Sequence, residues 1–390
     1  MDFSFTQEQQ MMIDAARKVG ARFGLDYWRA KDAAKEYPGE CWQAICDAGL
    51  VGVMIPEEFG GSGLGMLELA LVIEELCAAG AGATLGQIFM VNPIFGGVAI
   101  GRFGTPAMKA AMLPKLCSGE LTFCMALTEP DAGTNSLELK TTAVANGDGW
   151  RLDGQKIWIT AVPQSAKMLV VARTTPLEQA QKKTHGISLF MIDSDRHGLT
   201  HQAIDKLGTN TLTSSQVFFD GVQIRRDELI GTLDHGWQQL LDVLNTERIV
   251  TTAALVGAGR LAIELGVAFA KERKVFGKTP IGAYQSLQFP LAQYWAELEA
   301  AKLLNHKAAS LFDSGRPFGS ECNAGKLIAS QAASGAAEHA MQIMGGMGFA
   351  KDMHVERLWR DARLFRFAPV SEQMVLNYIA MVNLGLPRSY

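Results

Sequence analysis

The feature that most constrains the fold is a double change of periodicity along the 390 residues. Apolar residues follow a helical spacing to about residue 120. Beta-branched and aromatic residues then alternate between turn dipeptides as far as about residue 232. The helical spacing returns near His235 and lasts to the end of the sequence. Because the chain is too long for one ordinary core, this order predicts three domains, at 1–120, 121–232 and 233–390.

The first domain carries clear helix signals. Thr6 followed by Gln9 predicts a capping box, and Gly49 suits the carboxyl end of a helix. Further helices are expected at about 66–79 and 83–102. Residues 51–55 are predicted to be extended. The glycine-rich PEEFGGSGLG that follows lacks the lysine of a phosphate-binding loop, which favours a simple turn.

The second domain is predicted to be a compact β domain. Asn146-Gly147 and Asp153-Gly154 are turn dipeptides on either side of a short strand at 150–152. Further strands are expected at 156–160, 168–173, 187–192 and 216–219. The third domain is predicted to be an antiparallel four-helix bundle, with helices at about 236–271, 283–313 and 319–344 and a shorter one after Ser371.

Composition excludes several classes of function. The net charge of −4 gives no basic surface for nucleic acid. The six cysteines form no CxxC pair and no cluster with histidine, so we expect reduced thiols and no metal site. The amino-terminal MDFSFTQEQQ is polar, unlike a signal peptide, and no apolar run is expected to approach the 18 or so residues of a membrane span. A soluble cytoplasmic protein is expected.

A glutamate interrupts the apolar stripe of the first bundle helix. A carboxylate aimed at an apolar interior costs several kcal/mol unless it is paired or protonated. Glu247 is therefore either half of a structural ion pair, with Arg248 as the nearest cation, or a catalytic base. The stripe in which it lies consists of Leu240, Leu244, Thr251 and Ala254.

Four segments carry a more specific signal. Taken alone, each is ordinary: a turn, a strand with a core tryptophan, a charged helix end and a glycine helix cap. They are LTEPDAGTN at 127–135, GQKIWIT at 154–160, ERKVFGK at 272–278 followed by Tyr284-Gln285, and QIMGGMG at 342–348 followed by WRDAR at 359–363. In this order they resemble the acyl-CoA dehydrogenase family over essentially the whole chain.

The resemblance implies a mainly α fold with a central β-barrel-like domain and a carboxyl-terminal four-helix bundle. It also implies FAD as cofactor, an acyl-CoA thioester as substrate, an electron-transfer flavoprotein as electron acceptor and a homotetramer or homodimer. The positions that match family flavin contacts are Leu127, Thr128, Gly133, Thr134, Trp158, Ile159, Thr160, Arg273, Phe276, Gln285, Gln342, Gly345, Gly346, Ser371 and Gln373.

The resemblance also bears on the base. Many family members carry the catalytic glutamate in the carboxyl-terminal segment, where this chain has Pro369. Others, including the isovaleryl-CoA and long-chain enzymes, carry it in an LxxER stretch of the first bundle helix, and 244–248 matches that stretch. This match makes Glu247 the expected base that removes the α-proton while hydride passes from the β-carbon to flavin N5. By the same resemblance, Thr134, Asn245 and Arg248 are expected at the substrate.

Three alternatives stay open at this stage. The fold could serve an enoyl-CoA reductase of the crotonobetainyl-CoA type or an acyl-CoA oxidase that uses O₂. It could also belong to an inactive relative that acts as a binding subunit. Glu372 is the second candidate for the base. Pro369 removes the backbone N–H that, in the family, helps to hold the thioester oxygen.

Overall fold

The first domain is helical. The structure, a computed structural model, describes residues 4–389. The predicted capping box of Thr6 and Gln9 is confirmed at the start of the first helix. The helices are α1 (Gln7–Gly20), α2 (Leu25–Ala34), α3 (Gly39–Asp47), α4 (Met66–Leu76), α5 (Thr84–Phe89), α6 (Ala99–Phe103) and α7 (Pro106–Cys117), with wider π turns at 77–81 and 90–98.

Residues 51–55 form turns, so the prediction of an extended segment is wrong. The glycine-rich loop folds back on this stretch and takes up its backbone groups. Ser62 N donates to Gly52 O at 3.0 Å, and Leu64 N donates to Val53 O at 2.9 Å. Because the segment forms its hydrogen bonds locally, it does not need a neighbouring strand.

The second domain is one eight-stranded sheet. Its hydrogen-bonded path runs β6-β7-β3-β2-β4-β5-β8, and β1 pairs in parallel with β4. The central sheet is confirmed, and the Asn146-Gly147 turn joins β2 to β3. The strands are β1 (Phe123–Ala126), β2 (Thr142–Asn146), β3 (Gly149–Thr160), β4 (Lys167–Arg173), β5 (Ile187–Asp193), β6 (Leu199–Ile204), β7 (Ser214–Arg225) and β8 (Leu229–Ile230).

The predicted turn at Asp153-Gly154 is wrong, because β3 runs straight through it. Gly154 has φ 148°, and the pairing of β3 with β7 shifts register at this point. A Cβ added to Gly154 would lie 2.6 Å from Thr141 Oγ1. The glycine therefore marks a β-bulge at which two chain segments approach closely, which is a common role of glycine inside a strand.

The third domain is the helical bundle. Its three long helices confirm the prediction to within a few residues, but two short helices follow them instead of one. Gly259 brings the long helices together, since an added Cβ would lie 2.7 Å from Leu298 and 3.2 Å from Ala333. The helices are α8 (Gly236–Glu272), α9 (Gln285–Asp313), α10 (Gly319–Met344), α11 (Val355–Leu364) and α12 (Glu372–Tyr378).

Two helical stretches are long and apolar enough to span a membrane, so the expectation that no run approaches this length is wrong. They are Thr84–Phe103 and α8. Of their most apolar windows, 94% and 67% are buried inside the fold. Their length and composition are those of core helices in a large bundle.

The three domains meet at α11. Arg357 donates to Gly80 O at 2.6 Å and to Ala81 O at 2.8 Å, both in the first domain. Asp361 accepts a hydrogen bond from Thr84 Oγ1 at 2.7 Å and another from Thr209 N, in the sheet domain, at 2.5 Å. The RDAR sequence at 360–363 therefore supplies a structural junction between the domains.

Candidate active site

Glu247 is buried without a partner. Its side chain lies on α8 with 5% of the residue exposed, and within residues 4–389 its carboxylate makes no hydrogen bond or ion pair. The Arg248 guanidinium is instead hydrogen-bonded to Asn245 Oδ1. Burial raises the pKa of Glu247 to about 8, against the opposing charges of Arg248 and Lys326. The ion pair considered from the sequence is thus not formed.

The surroundings of Glu247 are apolar on the side of the first domain. Helix α5 touches α8 two turns beyond the carboxylate, where a Cβ added to Gly86 would lie 2.3 Å from the Cβ of Ala254. Val250 and Ala254 are completely buried. A carboxylate in such a dry, apolar setting is a stronger base than one in water.

A buried lysine near Glu247 was not predicted. Lys326 on α10 is 0% exposed, and its Nζ donates to Val370 O at 2.7 Å. Burial lowers its pKa to about 8, while Glu372 and Glu247 oppose that change. The signal in the sequence is the same as for Glu247, because Lys326 interrupts a stripe of small apolar residues: Ala329, Ala333, Ala336 and Ala340.

Glu372, the second candidate for the base, is already paired. Arg366 Nε and Nη2 donate to its two oxygens at 2.6 and 3.0 Å. Hydrogen bonds from Arg366 hold the pKa of Glu372 below its usual range. A carboxylate held in this way is a weak base, so the geometry favours Glu247.

The loop at 127–135 lies against β3, as expected if the two segments share one site. Thr128 O accepts from Ile157 N at 2.9 Å, and Lys156 Nζ donates to Leu127 O at 2.9 Å. Lys156 also pairs with Glu129 at 2.9 Å, with both side chains buried. Neither charge was assigned a role from the sequence, although both lie inside the matched segments.

Trp158 does not pack as an ordinary strand residue. Its backbone is left-handed, with φ 62°, and 54% of the residue is exposed. A bulky residue in this region is strained, and such strain is concentrated at functional sites. The register of β3 against β7 shifts between Lys156 and Ile159, which leaves Ile159 in the core of the sheet. Only the backbone of Ile159 is therefore available to a ligand.

The remaining members of the first two segments differ in exposure. Gly133 and Thr134 are exposed, and Thr160 is half-buried at the end of β3. Gly133 O accepts a hydrogen bond from Ser136 Oγ at 2.7 Å, which closes the loop. Leu127 is buried, so it too offers its backbone rather than its side chain.

The third segment forms an exposed loop between α8 and α9. Arg273 is exposed, and its guanidinium has no acidic partner in the part of the chain that the structure describes. Phe276 is 99% exposed with φ 49°, and Gln285 is exposed at the start of α9. An aromatic ring and an unpaired arginine on one protruding loop are typical of a surface that another molecule covers.

The fourth segment is also exposed. Gln342, Gly345 and Gly346 lie at the carboxyl end of α10, where Gly345 leaves the helix with φ 57°. Ser371 caps α12 through its Oγ, which accepts from Met374 N at 3.3 Å, and Gln373 is exposed. Except for Ser371, which is half-buried and caps α12, these residues are therefore exposed and can meet a ligand or a second subunit.

These residues fit a flavin dinucleotide chemically. The outward-turned indole of Trp158 offers a flat surface for a ring system, and the unpaired guanidinium of Arg273 suits a pyrophosphate. All six cysteines are free, and among the described residues no three His, Cys, Asp or Glu side chains are grouped to hold a metal ion.

Family models describe all three parts of the chain. The N-terminal, middle and C-terminal acyl-CoA dehydrogenase domains match residues 6–120, 124–222 and 234–384. The acyl-CoA dehydrogenase FadE12 of Mycobacterium tuberculosis is 41% identical, with each chain covered completely. The 3-(aryl)acrylate reductase of Clostridium sporogenes is 32% identical over 92% of this chain and 94% of its own.

Solved structures agree with this assignment. A glutaryl-CoA dehydrogenase in complex with glutaryl-CoA superposes with a TM-score of 0.94 at 29% identity, covering 100% of this chain and 98% of its own. A chain from a study of the electron transferring flavoprotein of Acidaminococcus fermentans gives 0.93 at 30% identity, covering 98% and 100%. The FAD complex of PigA gives 0.92 at 26% identity, covering 99% and 100%. The chain belongs to the acyl-CoA dehydrogenase family and is an FAD-dependent enzyme.

Proposed function

We propose that Glu247 is the base in the α,β-dehydrogenation of an acyl-CoA thioester by this enzyme. The observation that carries the proposal is the unpaired, buried carboxylate of Glu247. The α-protons of a thioester are weakly acidic, so a base must be desolvated to remove one. Glu247 is the carboxylate that meets this requirement, since Glu372 is neutralised by Arg366.

The other site residues have distinct proposed roles. Bound FAD supplies the hydride acceptor for the β-carbon. Arg248 and Asn245, joined by their side-chain hydrogen bond, keep the substrate side of α8 in one conformation. Thr134, exposed on the 127–135 loop, is proposed to contact the substrate. Pro369 donates no backbone hydrogen bond, so another group must hold the thioester oxygen.

The flavin contacts are proposed in two groups. The first group lies on the sheet domain: Leu127, Thr128, Gly133, Thr134, Trp158, Ile159 and Thr160. The second group lies on exposed parts of the bundle: Arg273, Phe276, Gln285, Gln342, Gly345, Gly346, Ser371 and Gln373. Support for this division comes from exposure, because the bundle group apart from the half-buried Ser371 is exposed and available for contact across a subunit interface.

Replacing Glu247 with glutamine tests the proposal. Glu247→Gln should retain FAD, yet lose the anaerobic bleaching of flavin absorbance by butyryl-CoA, isovaleryl-CoA or octanoyl-CoA. Removal of a general base typically lowers the rate about 10²–10⁴-fold. The matched control is Glu264→Gln, an exposed glutamate on the same helix, which should bleach like the wild type. Unchanged bleaching in Glu247→Gln would show that another group is the base.

A second candidate function is the reverse reaction, reduction of an α,β-unsaturated acyl group. The similarity to the 3-(aryl)acrylate reductase favours considering it. We propose an electron-transfer flavoprotein as the acceptor in the oxidative direction. Mixing reduced enzyme with that protein, with O₂ or with an enoyl-CoA, and following reoxidation of the flavin, separates a dehydrogenase from an oxidase and a reductase.

We propose that the enzyme is a homotetramer or homodimer. The outer face of α9 is exposed and apolar, and it is continuous in helical register through Phe289, Ala292, Ala296, Ala300 and Leu303. A stripe of this kind is typical of a subunit contact. Leu303→Asp should lower the molar mass in light scattering coupled to gel filtration, whereas the nearby exposed Ser310→Asp should not.

The remaining expectations stay proposals as well. We propose a cytoplasmic enzyme without a membrane span, supported by the burial of its two apolar helices. We also propose domain divisions after residues 120 and 232, and membership of the subgroup that carries the base on the first bundle helix. The buried, unpaired Glu247 supports that subgroup.

A further inference from the structure

Lys326 is an unusual lysine for the core of a helical bundle. It is completely buried on α10, and within residues 4–389 its Nζ makes one hydrogen bond, to Val370 O. An ammonium group has three donors and is costly to bury. A methionine would fill the same space at lower cost, so packing does not explain the charge.

The charges around Lys326 come from two other helices. Glu247 and Arg248 lie on α8, and Glu372 begins α12. Two of these already have closer partners: Arg366 neutralises Glu372, while Arg248 is hydrogen-bonded to Asn245 and interacts with the Cys322 thiol of α10. Lys326 is thus a buried cation that interacts with a buried and otherwise unpaired carboxylate, Glu247.

We propose that Lys326 is a positioning residue for the reaction: its buried ammonium favours the ionised, basic form of Glu247 and fastens the backbone at Val370 to the base-bearing bundle. This inference rests on the proposed role of Glu247. Lys326 touches neither reacting carbon, and it acts through the charge and position of its neighbours.

The electrostatic part follows from the sign of the charge. Burial favours the protonated form of Glu247, which cannot accept a proton from the substrate. A nearby cation favours the ionised form and lowers the pKa of the carboxylate toward the working pH. Because Lys326 and Glu247 are not in direct contact, the cation stabilises the carboxylate without occupying the lone pairs that must receive the proton.

The geometric part concerns the segment that follows Pro369. This proline cannot donate a backbone hydrogen bond, and Ser371 starts α12 two residues later. The bond from Lys326 to Val370 O lies between these two points and ties the segment to α10. One side chain therefore ties the carboxyl-terminal segment to α10, which packs against the base helix α8.

Three substitutions separate charge from anchoring. Lys326→Gln keeps a hydrogen-bond donor for Val370 O but removes the charge, Lys326→Met removes both, and Lys326→Arg keeps the charge. The first measurement needs no turnover. The protonated-carboxyl infrared band of Glu247, identified by its loss in Glu247→Gln, is titrated with pH in the purified enzyme.

The titration midpoint should rise by about one pH unit in Lys326→Gln and in Lys326→Met, and should stay near the wild-type value in Lys326→Arg. The rate of flavin reduction is then measured against pH with the acyl-CoA that bleaches the wild type fastest. Its pH dependence should shift in the same direction, and in Lys326→Gln and Lys326→Met the rate at pH 7 should fall roughly tenfold. Lys302→Gln, at another bundle lysine that lies near Glu74, is the control and should move neither.

A merely structural lysine would give a different result. It would lower thermal stability and flavin content while the titration midpoint of Glu247 stayed in place, and that outcome overturns the inference. If Lys326→Gln does not fold, Lys326→Arg is the deciding variant. A shifted titration midpoint of Glu247 in this variant, which keeps the charge, would also overturn the inference. Failure of the proposed function is distinguishable, because Glu247→Gln would then still be bleached by acyl-CoA.

Discussion

At the scale of single residues, Glu247 shows how a catalytic requirement opposes stability. The carboxylate is buried on α8 and has no direct partner in the described part of the chain. Its pKa is raised to about 8 by burial, whereas an unfolded glutamate titrates near 4.3. The folded state therefore prefers the protonated acid, which is the form that cannot act as a base.

This preference predicts a pH-dependent stability. For an acid whose folded pKa is raised, the stabilisation is fully present below the unfolded pKa and is lost as pH rises through the folded pKa. Glu247→Gln lacks this loss, so it should be more stable than the wild type at pH 9 and nearly equal to it at pH 4.5. Urea unfolding at the two pH values measures the difference, expected to be on the order of 4 kcal/mol. Equal pH dependence of the two proteins would contradict the raised pKa.

At the scale of elements, the contact between the 127–135 loop and β3 was predicted from the sequence, but the ion pair inside it was not. The two segments were predicted to share a site, and the hydrogen bond of Thr128 O with Ile157 N brings them together. The buried pair of Glu129 and Lys156 was not predicted. Its partners are 27 positions apart, and neither burial nor pairing can be inferred from local spacing.

Breaking the pair should be costly. Burial lowers the pKa of Lys156 to about 8, while Lys156 and backbone hydrogen bonds outweigh burial and hold the pKa of Glu129 below its usual range. Lys156→Met leaves Glu129 as an unpaired buried charge, with an expected loss of about 3–5 kcal/mol and of bound flavin. Thermal and urea unfolding, with absorbance at the flavin band, measure both.

A double variant supplies the internal control for this pair. Adding Glu129→Gln to Lys156→Met removes the stranded charge and should recover part of the lost stability. Lys140→Met removes a lysine shortly after this loop that pairs with Asp131 at the surface, and it should change stability by less than about 1 kcal/mol. An additive double variant would mean that the two charges do not interact.

At the scale of the whole molecule, α11 holds the three domains together. Asp361 binds Thr84 of the first domain and Thr209 of the sheet domain, and Arg357 caps the carbonyls of Gly80 and Ala81. All of these groups are buried, where an unsatisfied donor costs more than in water. The proposed flavin and substrate contacts lie on both the sheet domain and the bundle, so their relative positions depend on this junction.

Asp361→Ala should therefore weaken the coupling between domains. Thr84 Oγ1 and Thr209 N would lose a buried acceptor, and Arg357 would lose its ion pair with Asp361 at 3.7 Å. We expect a cost of about 3 kcal/mol and a broader or split thermal transition. Thr84→Val removes only one hydrogen bond of the same carboxylate and should cost about 1 kcal/mol without splitting. Differential scanning calorimetry compares the two variants. A single sharp transition in Asp361→Ala would argue against a domain junction.

The sequence alone determined the order of the domains and most helix and strand locations, because apolar periodicity and capping are local in the chain. The family followed from the resemblance of four short segments. The sequence also located Glu247, since a charge on an apolar stripe is visible as a break in the pattern. Only the tertiary structure decided which charges are paired. In the structure, Arg248 is hydrogen-bonded to Asn245 and Arg366 is paired with Glu372. Lys326 interacts with Glu247 instead, because the packing of α10 on α8 brings together residues that are far apart in sequence. The outward turn of Trp158 likewise depends on the register of β3 against β7.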